Sequence, residues 1–592
     1  MTEIPAAPEA NRILLATVLL FVSAGSAQVS SEPHLPGAYF PLLTAGSDEV
    51  TQTLDAEAEP TLAKLDAKPG YRHFGYAILP PAVLYSKPHP QNRRYKNPRM
   101  LALAIRIGDL LASETEKGLY QERQDSDWDT YTWLEAYRLL QSDLGQERRA
   151  RWRSCLEKNI APFAADAEER YDFPWYQSPY IGTSPNHYSQ WAELLYLGGR
   201  VFGRKDWEQI GARILHRFVT TEQSPDGWWG EHSNAGPATG YNLLTLSAVG
   251  VYWEHSRDPA ALQAIRRATT FHKHFTYPDG TPVELINDRN RRWAVSPWSH
   301  FAFSNFSDGR GYAEFLTRVI GTHKLSIDEL GRLAQNALYY HEGPAEPVPQ
   351  LAPTYFSRLN APASIRKTGP WVVSLSGIID TPAPTSQFYL DRQSRVSVFH
   401  NHLGLIISGA NSKRQPELAT FVEKIEGQVH HLPLSSRLQT SSQGDRLSVS
   451  FNSFFSDLYV DPPSRVAVGL RFVISGRGRP PAEARLTLQL QLKAGEVLET
   501  ASGEAIRLGP ERLELEESRL GAFIRHRGWQ LSVPPSARLV WPVYPFNPYA
   551  NAPERDIANA IGALSLPLQL HAVPGRYIRS REQEIKFVLT AR

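Results

Sequence analysis

The spacing of apolar residues changes once along this chain, near residue 345, and that change limits the fold more than any single motif does. Before it, apolar side chains recur at helical intervals. Leu101, Ile105, Leu110 and Leu111 form one set, and Trp133, Leu134, Tyr137 and Leu140 another. Further sets are Trp191, Leu194, Leu195 and Leu197, then Ile210, Ile214 and Phe218, then Leu243, Leu246, Val249 and Tyr252. Leu262, Ile265 and Phe271 mark another, and Leu330, Leu333, Leu338 and Tyr339 the last. The loops between them carry Pro, Asp and Gly, as in Ser224-Pro225-Asp226-Gly227 and Tyr277-Pro278-Asp279-Gly280. After residue 345 the pattern shortens to a period of two. Leu486, Leu488, Leu490 and Leu492 alternate with Thr487, Gln489 and Gln491, and six other runs between Trp371 and Leu589 read as strands. With 592 residues the chain exceeds one compact core. The expected fold is multidomain α + β: an N-terminal incomplete α/α toroid, its loops gathered at one mouth, followed by a large antiparallel β-sandwich. The expected boundaries are a lead-in at 28–95 that is irregular and Pro-rich, a toroid at 96–342, a linker at 343–350 and a sandwich at 351–592.

Residues 1–27 read as a secretory signal. Ile13 to Val22 is a ten-residue run, apolar but for Thr17, with Arg12 before it and small residues up to Ala27 after it. The run is too short for a comfortable membrane span, so the expected location is periplasmic or secreted. A single cysteine, Cys155, rules out an intrachain disulfide and a cysteine metal cluster. The net charge of +2 argues against a nucleic-acid partner, which needs a broadly basic face.

The densest chemistry lies in Asp226-Gly227-Trp228-Trp229-Gly230-Glu231-His232-Ser233-Asn234, followed by Gly240-Tyr241. Tryptophan faces stack on sugar rings, and a His/Tyr pair moves protons. Asn186 lies upstream beside His187 and Tyr188, and Arg289, Arg291 and Arg292 lie downstream. This set suits β-elimination at a uronic acid. The C5 proton becomes removable only once the neighbouring carboxylate is neutralised by hydrogen bonding. A base must then take that proton, and an acid must protonate the departing oxygen. Tyrosine can do both if a nearby Arg stabilises its phenolate. No metal is obligatory.

At these residues the chain resembles the chondroitin AC lyase and hyaluronate lyase family, and more loosely the heparinase II/III-like lyases. An Asp-Gly-aromatic stretch leads to a histidine, a tyrosine follows nine positions later, an asparagine precedes and arginines follow. The resemblance implies the same incomplete toroid and β-sandwich. It also implies Asn186 as carboxylate neutraliser, His232 as proton abstractor or orienter, and Tyr241 as base and acid. Arg289 or Arg291 would hold the substrate and tune the tyrosine, and Trp228 and Trp229 would be stacking platforms. His187, Tyr188, Asn234 and Arg292 complete the candidate substrate contacts.

Other readings of the same residues stay open. Asn186 could cap a helix, His187 and Tyr188 could be packing, one tryptophan could fill the core, and Arg291-Arg292 could be a solvated rim. Asp125, Asp127 and Asp129 could serve a helix N-terminus, a structural calcium ion or a hydrolase acid. His400 and His402 fit a polar contact between the domains. The leading expectation is an exported polysaccharide lyase acting on an acidic, uronic-acid-containing polymer, with no cofactor required. The alternatives are an inverting glycoside hydrolase, using a pair among Asp125, Asp127, Asp129, Glu231 and Asp288, and a non-catalytic glycan-binding protein.

Overall fold

Thirteen helices fill the first part of the described chain. They are α1 (Tyr39–Asp55), α2 (Leu62–Asp66), α3 (Leu79–Ser86), α4 (Pro98–Glu116), α5 (Ser126–Leu140), α6 (Gln146–Tyr171), α7 (Pro185–Phe202), α8 (Lys205–Arg217), α9 (Thr239–Ser256), α10 (Pro259–His274), α11 (His300–Phe303), α12 (Ser307–Ile320) and α13 (Ile327–Tyr339). The structure, a computed structural model, describes residues 35–121, 126–171, 185–230, 236–287, 294–321, 324–379, 394–409, 415–477, 481–547, 549–570 and 582–592. The signal segment expected at 1–27 lies outside these residues. Local chemistry explains several helix starts. Asn97 accepts from the Arg99 amide at 2.9 Å ahead of Pro98, and Asp258 accepts from the Ala260 amide at 2.9 Å ahead of Pro259. Ser326 and Glu329 form a capping box on α13.

One expectation needs correction. The stretch 28–95 was expected to be irregular, yet α1, α2, α3 and a 3-10 turn at Phe74–Ile78 lie within it. Its prolines do not break these helices. Pro80 and Pro81 occupy the first turn of α3, where the missing amide costs nothing.

Helices α3, α5, α7, α9, α11 and α13 touch in cyclic order, and α13 returns to α3. Burial separates this set from its neighbours. In α7 15 of 18 residues are buried and in α9 12 of 18, whereas α8 and α10 bury one face only. Successive helices run antiparallel: Gly199 approaches Glu208, while Gly211 approaches Tyr196. A side chain at either glycine would collide with the opposing backbone. Inner helices therefore run parallel to one another. Gln190 meets Leu244 and Tyr196 meets Tyr252 between α7 and α9. Asp127 meets His187 and Leu134 meets Gly198 between α5 and α7. The N-termini of these helices thus share one rim.

The space enclosed by the inner helices is polar. Arg332 of α13 donates to Tyr76 at 2.9 Å, to Ser247 at 3.3 Å, and to Gln190 and Gln335 at 3.5 Å each. Gln335 donates to Tyr131 at 2.7 Å, and Tyr131 donates to Glu135 at 3.1 Å. Glu193 faces the same interior without a hydrogen-bond partner. Burial pushes its carboxyl well above the ordinary range, against the pull of the Arg332 guanidinium and with a smaller push from the charge of Glu135.

Among the described residues the second part is an eleven-stranded and a nine-stranded antiparallel sheet, with a two-stranded ribbon beside them. The Leu486–Leu490 alternation forms as expected: Leu486 pairs with Leu566 and Leu488 with Leu564, all within the core between the sheets. A third apolar cluster joins the two parts. Trp228, Phe275, Tyr277 and Leu285 of the helical side meet Ile365, Val372, Phe399 and Leu405 of the sandwich. Strand Trp371–Ser376 is buried on both faces for this reason. Trp371, Val373 and Leu375 enter the sandwich core, and Val372 faces the helices.

The linker-like stretch is held tightly. Glu346 donates its amide to Ser307 at 3.0 Å, and Gln350 donates to the carbonyls of Lys273 and Thr276 at 2.7 and 2.9 Å. A Cβ on Gly311 would lie 1.8 Å from the Glu346 carbonyl oxygen. Gly311→Ala is therefore expected to cost about 2 kcal/mol or more, by overpacking of backbone against backbone. Equilibrium denaturant unfolding of the variant beside wild type checks it.

Candidate functional site

The rim formed by the inner-helix N-termini gathers side chains that are far apart in sequence. Six parallel peptide dipoles are not needed for the electrostatic effect. The ends of α5, α7 and α9 turn the partial positive charge of their peptide dipoles toward the rim. Such ends favour an anion over a neutral group.

Asn186 is the second residue of α7 and is 1% exposed. His187 follows it, half-buried, with Nδ1 3.2 Å from Asp127 Oδ2 and its ring stacked on Trp128 at 5.3 Å and 10°. Trp128 in turn meets the edge of His73, a residue in the left-handed region with φ 61°. Asp127 holds the histidine by this contact. Among the described residues no group of three or more His, Cys, Asp or Glu could hold a metal ion. Asp127 and Asp129 are both buried in the first turn of α5, and Asp125 lies outside the described residues.

Tyr241 stands in the first turn of α9. Gln190 of α7 donates to the Leu244 carbonyl at 3.1 Å. Asn186 lies four residues before Gln190, and Tyr241 three before Leu244, so both sit about one helical turn nearer the rim. The Tyr241 hydroxyl is 2.9 Å from that of Tyr549, which belongs to the sandwich. The rim at α9 therefore faces the second part of the chain. Three further bonds fix that approach. Asp226 accepts from the amides of Asn360 at 2.6 Å and Ala361 at 2.9 Å, and Glu284 accepts from the Gly409 amide at 2.9 Å.

Two tryptophans and a tyrosine expected at the substrate lie in the core instead. Trp229 is 1% exposed and donates its indole N–H to the Phe218 carbonyl at 2.9 Å. Trp228 packs on Phe271 in the cluster between the parts. Tyr188 is buried against Trp191 and Phe218 and donates to the Ala167 carbonyl at 2.9 Å. Burying an aromatic side chain gains more than leaving its face to water, and the polar edges of Trp229 and Tyr188 find partners. No sugar can stack on these rings. His232, Asn234, Arg289, Arg291 and Arg292 lie outside the described residues, as do Glu231 and Asp288. His400 contacts Trp371 and His402 at the end of its strand.

Several residues that the sequence did not single out hold this rim together. Asn242, next to Tyr241, accepts from the Trp229 amide at 2.9 Å and donates from Nδ2 to His272 Nε2 at 2.7 Å. The Asn242 oxygen is occupied by that amide, so the histidine must accept, with its proton on Nδ1. Burial lowers the His272 pKa to about 3, so the ring stays neutral in the folded chain. Tyr549 and Asp226 are the others. Only Asp226 carried a signal, and its turn motif suggested a local role rather than a tether.

The sign of the His272 effect follows from proton linkage. The folded ring resists protonation, so the unfolded chain binds the extra proton as pH falls below about 6.5. Stability is unaffected by this group above that pH and declines below it until about pH 3 is reached. His300, also buried and lowered to about 3, acts in the same direction. Denaturant unfolding at a series of pH values should show each histidine contributing a slope of up to about 1.4 kcal/mol per pH unit. His272→Gln should flatten the profile between pH 6 and 4.

Comparison with known proteins yields structural likeness only. No family model matches the chain, and no curated protein matches it. Chondroitin AC lyase from Streptomyces coelicolor A3, solved in complex with chondroitin sulphate, aligns at 12% identity with a TM-score of 0.50, covering 96% of this chain and 80% of that one. A variant of that enzyme with one tyrosine replaced by alanine gives the same values. A heparan sulfate lyase mutant from Pedobacter heparinus aligns at 9% identity with a TM-score of 0.45, covering 93% and 88%. The chain, a ring of paired helices leading into a two-sheet sandwich, has the fold of chondroitin AC lyase.

Proposed function

We propose that this protein is an exported polysaccharide lyase that cleaves a uronic-acid-containing polysaccharide by β-elimination. The carrying observation is the place of Tyr241. Its hydroxyl stands in the seam between helices and sandwich, at a rim of helix N-termini, in the fold of chondroitin AC lyase. In this reading Asn186 and Arg289 or Arg291 neutralise the sugar carboxylate, with Arg292, Asn234 and His187 as further contacts. His232 takes or steers the C5 proton. Tyr241 completes its removal and protonates the leaving glycosidic oxygen, so the bond to C4 breaks as the C4–C5 double bond forms.

Chain connectivity supports the grouping. The Asn287 side chain accepts from the Thr239 amide at 3.3 Å. Tyr241 lies two residues beyond Thr239 in the chain. Gly230 pairs with Pro237 in an antiparallel bridge. That point is tied to α9 by the bond from Trp229 to Asn242. Export is proposed from the N-terminal apolar run. No helix among the described residues is long and apolar enough to cross a membrane.

Incubation with chondroitin, hyaluronan, heparan and other acidic glycans should yield unsaturated products absorbing in the ultraviolet. Tyr241→Phe should lower kcat by about 100-fold or more with little change in KM. Full activity in that variant, or saturated products that have gained water in mass spectrometry, would overturn the proposal.

A further inference from the structure

Tyr549 reaches Tyr241 from a turn built to present it. Phe546–Asn547 and Ala552–Pro553 pair as a short ribbon beside the main sheets. Gln415 clamps its base, donating to the Tyr544 carbonyl at 2.8 Å and accepting from the Phe546 amide at 2.8 Å. Across the turn, Asn547 Oδ1 accepts from the amides of Tyr549 at 2.9 Å and Ala550 at 3.3 Å. Asn551 closes it in the left-handed region at φ 49°, which asparagine tolerates better than most residues. The outcome is a tyrosine 40% exposed on a pinned turn, with its oxygen 2.9 Å from that of Tyr241.

At that separation one hydroxyl donates and the other accepts. A tyrosine that is to remove a proton must first be a phenolate, and a phenolate only accepts. Tyr549 is then the donor, and an O–H bond to a charged oxygen is about twice as strong as one to a neutral oxygen. We infer that Tyr549 is a positioning residue for Tyr241: from the sandwich it donates its hydroxyl hydrogen to the Tyr241 oxygen, aiming it across the rim and favouring its ionised form. The inference rests on the lyase reading of Tyr241. Tyr549 keeps its own proton throughout. The proton from C5 passes to Tyr241 and from there to the leaving oxygen.

Tyr549→Phe removes the donor and keeps the ring. With an acidic glycan that wild type cleaves, the rising limb of kcat/KM against pH should move up by about one unit. At neutral pH kcat should fall about tenfold, while KM stays within about twofold. Tyr549→Ala should give the same displacement of the limb. A limb that stays in place in both variants overturns the inference. If Tyr549 only stacks on sugar, the Phe variant will match wild type and the Ala variant will raise KM, which also overturns it. Hydrogen exchange reads the pair without any substrate. Faster exchange is expected at 239–244 in Tyr549→Phe and at 549–553 in Tyr241→Phe. Unchanged exchange in both shows that the pair does not form and overturns the inference. Failure of the lyase reading would appear separately, as wild type giving no unsaturated product.

Discussion

Arg332 is the interaction on which the helical part depends. Its guanidinium lies inside the cycle of inner helices and is shared among Tyr76, Gln190, Ser247 and Gln335, which come from four separate segments. A buried cation is costly unless its donors are used, and here each partner belongs to an element that must be in place for the bond to form. Helix α13 thereby fixes the approach of α7 and α9 and of the turn before α3. The polar interior also keeps the ring from collapsing into an apolar bundle. Its register is set by hydrogen-bond geometry rather than by volume alone.

That register places the candidate side chains at the rim. Parallel inner helices bring Asp127, Asn186, His187 and Tyr241 to one end, although the outermost of them are more than a hundred residues apart in the chain. The sandwich then closes over the α9 side. The apolar cluster around Trp228, Tyr277 and Phe399 supplies the adhesion, and Asp226 with its backbone partners supplies the orientation. The stacking of Tyr277 on Phe399 at 4.8 Å and 9° and the 2.7 Å bond between Tyr277 and Ser397 make this contact specific. Tyr549 meets Tyr241 because both halves are held in this way.

Much of the architecture was legible in the chain. The helical sets from Leu101 to Tyr339 each fall on a helix, and the Leu486–Leu490 alternation falls on a strand with its leucines inward. Tryptophan misled. Trp228 and Trp229 follow an Asp-Gly turn, a context that fits a sugar platform and a buried anchor equally well, and periodicity does not separate the two. The prolines at 80 and 81 misled for a related reason, since proline breaks a helix interior but fits a first turn. His187 read equally well as packing or as a substrate contact, and its partner Asp127 read as one of a cluster of acids.

The sequence by itself determined the two kinds of secondary structure, the place where one gives way to the other, and the residue types able to neutralise a carboxylate and move a proton. These follow from local periodicity and side-chain chemistry, which need no knowledge of distant contacts. Tertiary structure alone decided which aromatic rings are core and which face the rim, that Asp226 ties helix to sheet, and that a sandwich tyrosine touches Tyr241. Those outcomes depend on pairings across as many as 308 positions. Such pairings are selected by packing and hydrogen-bond satisfaction in the folded chain, and no local window of sequence contains them.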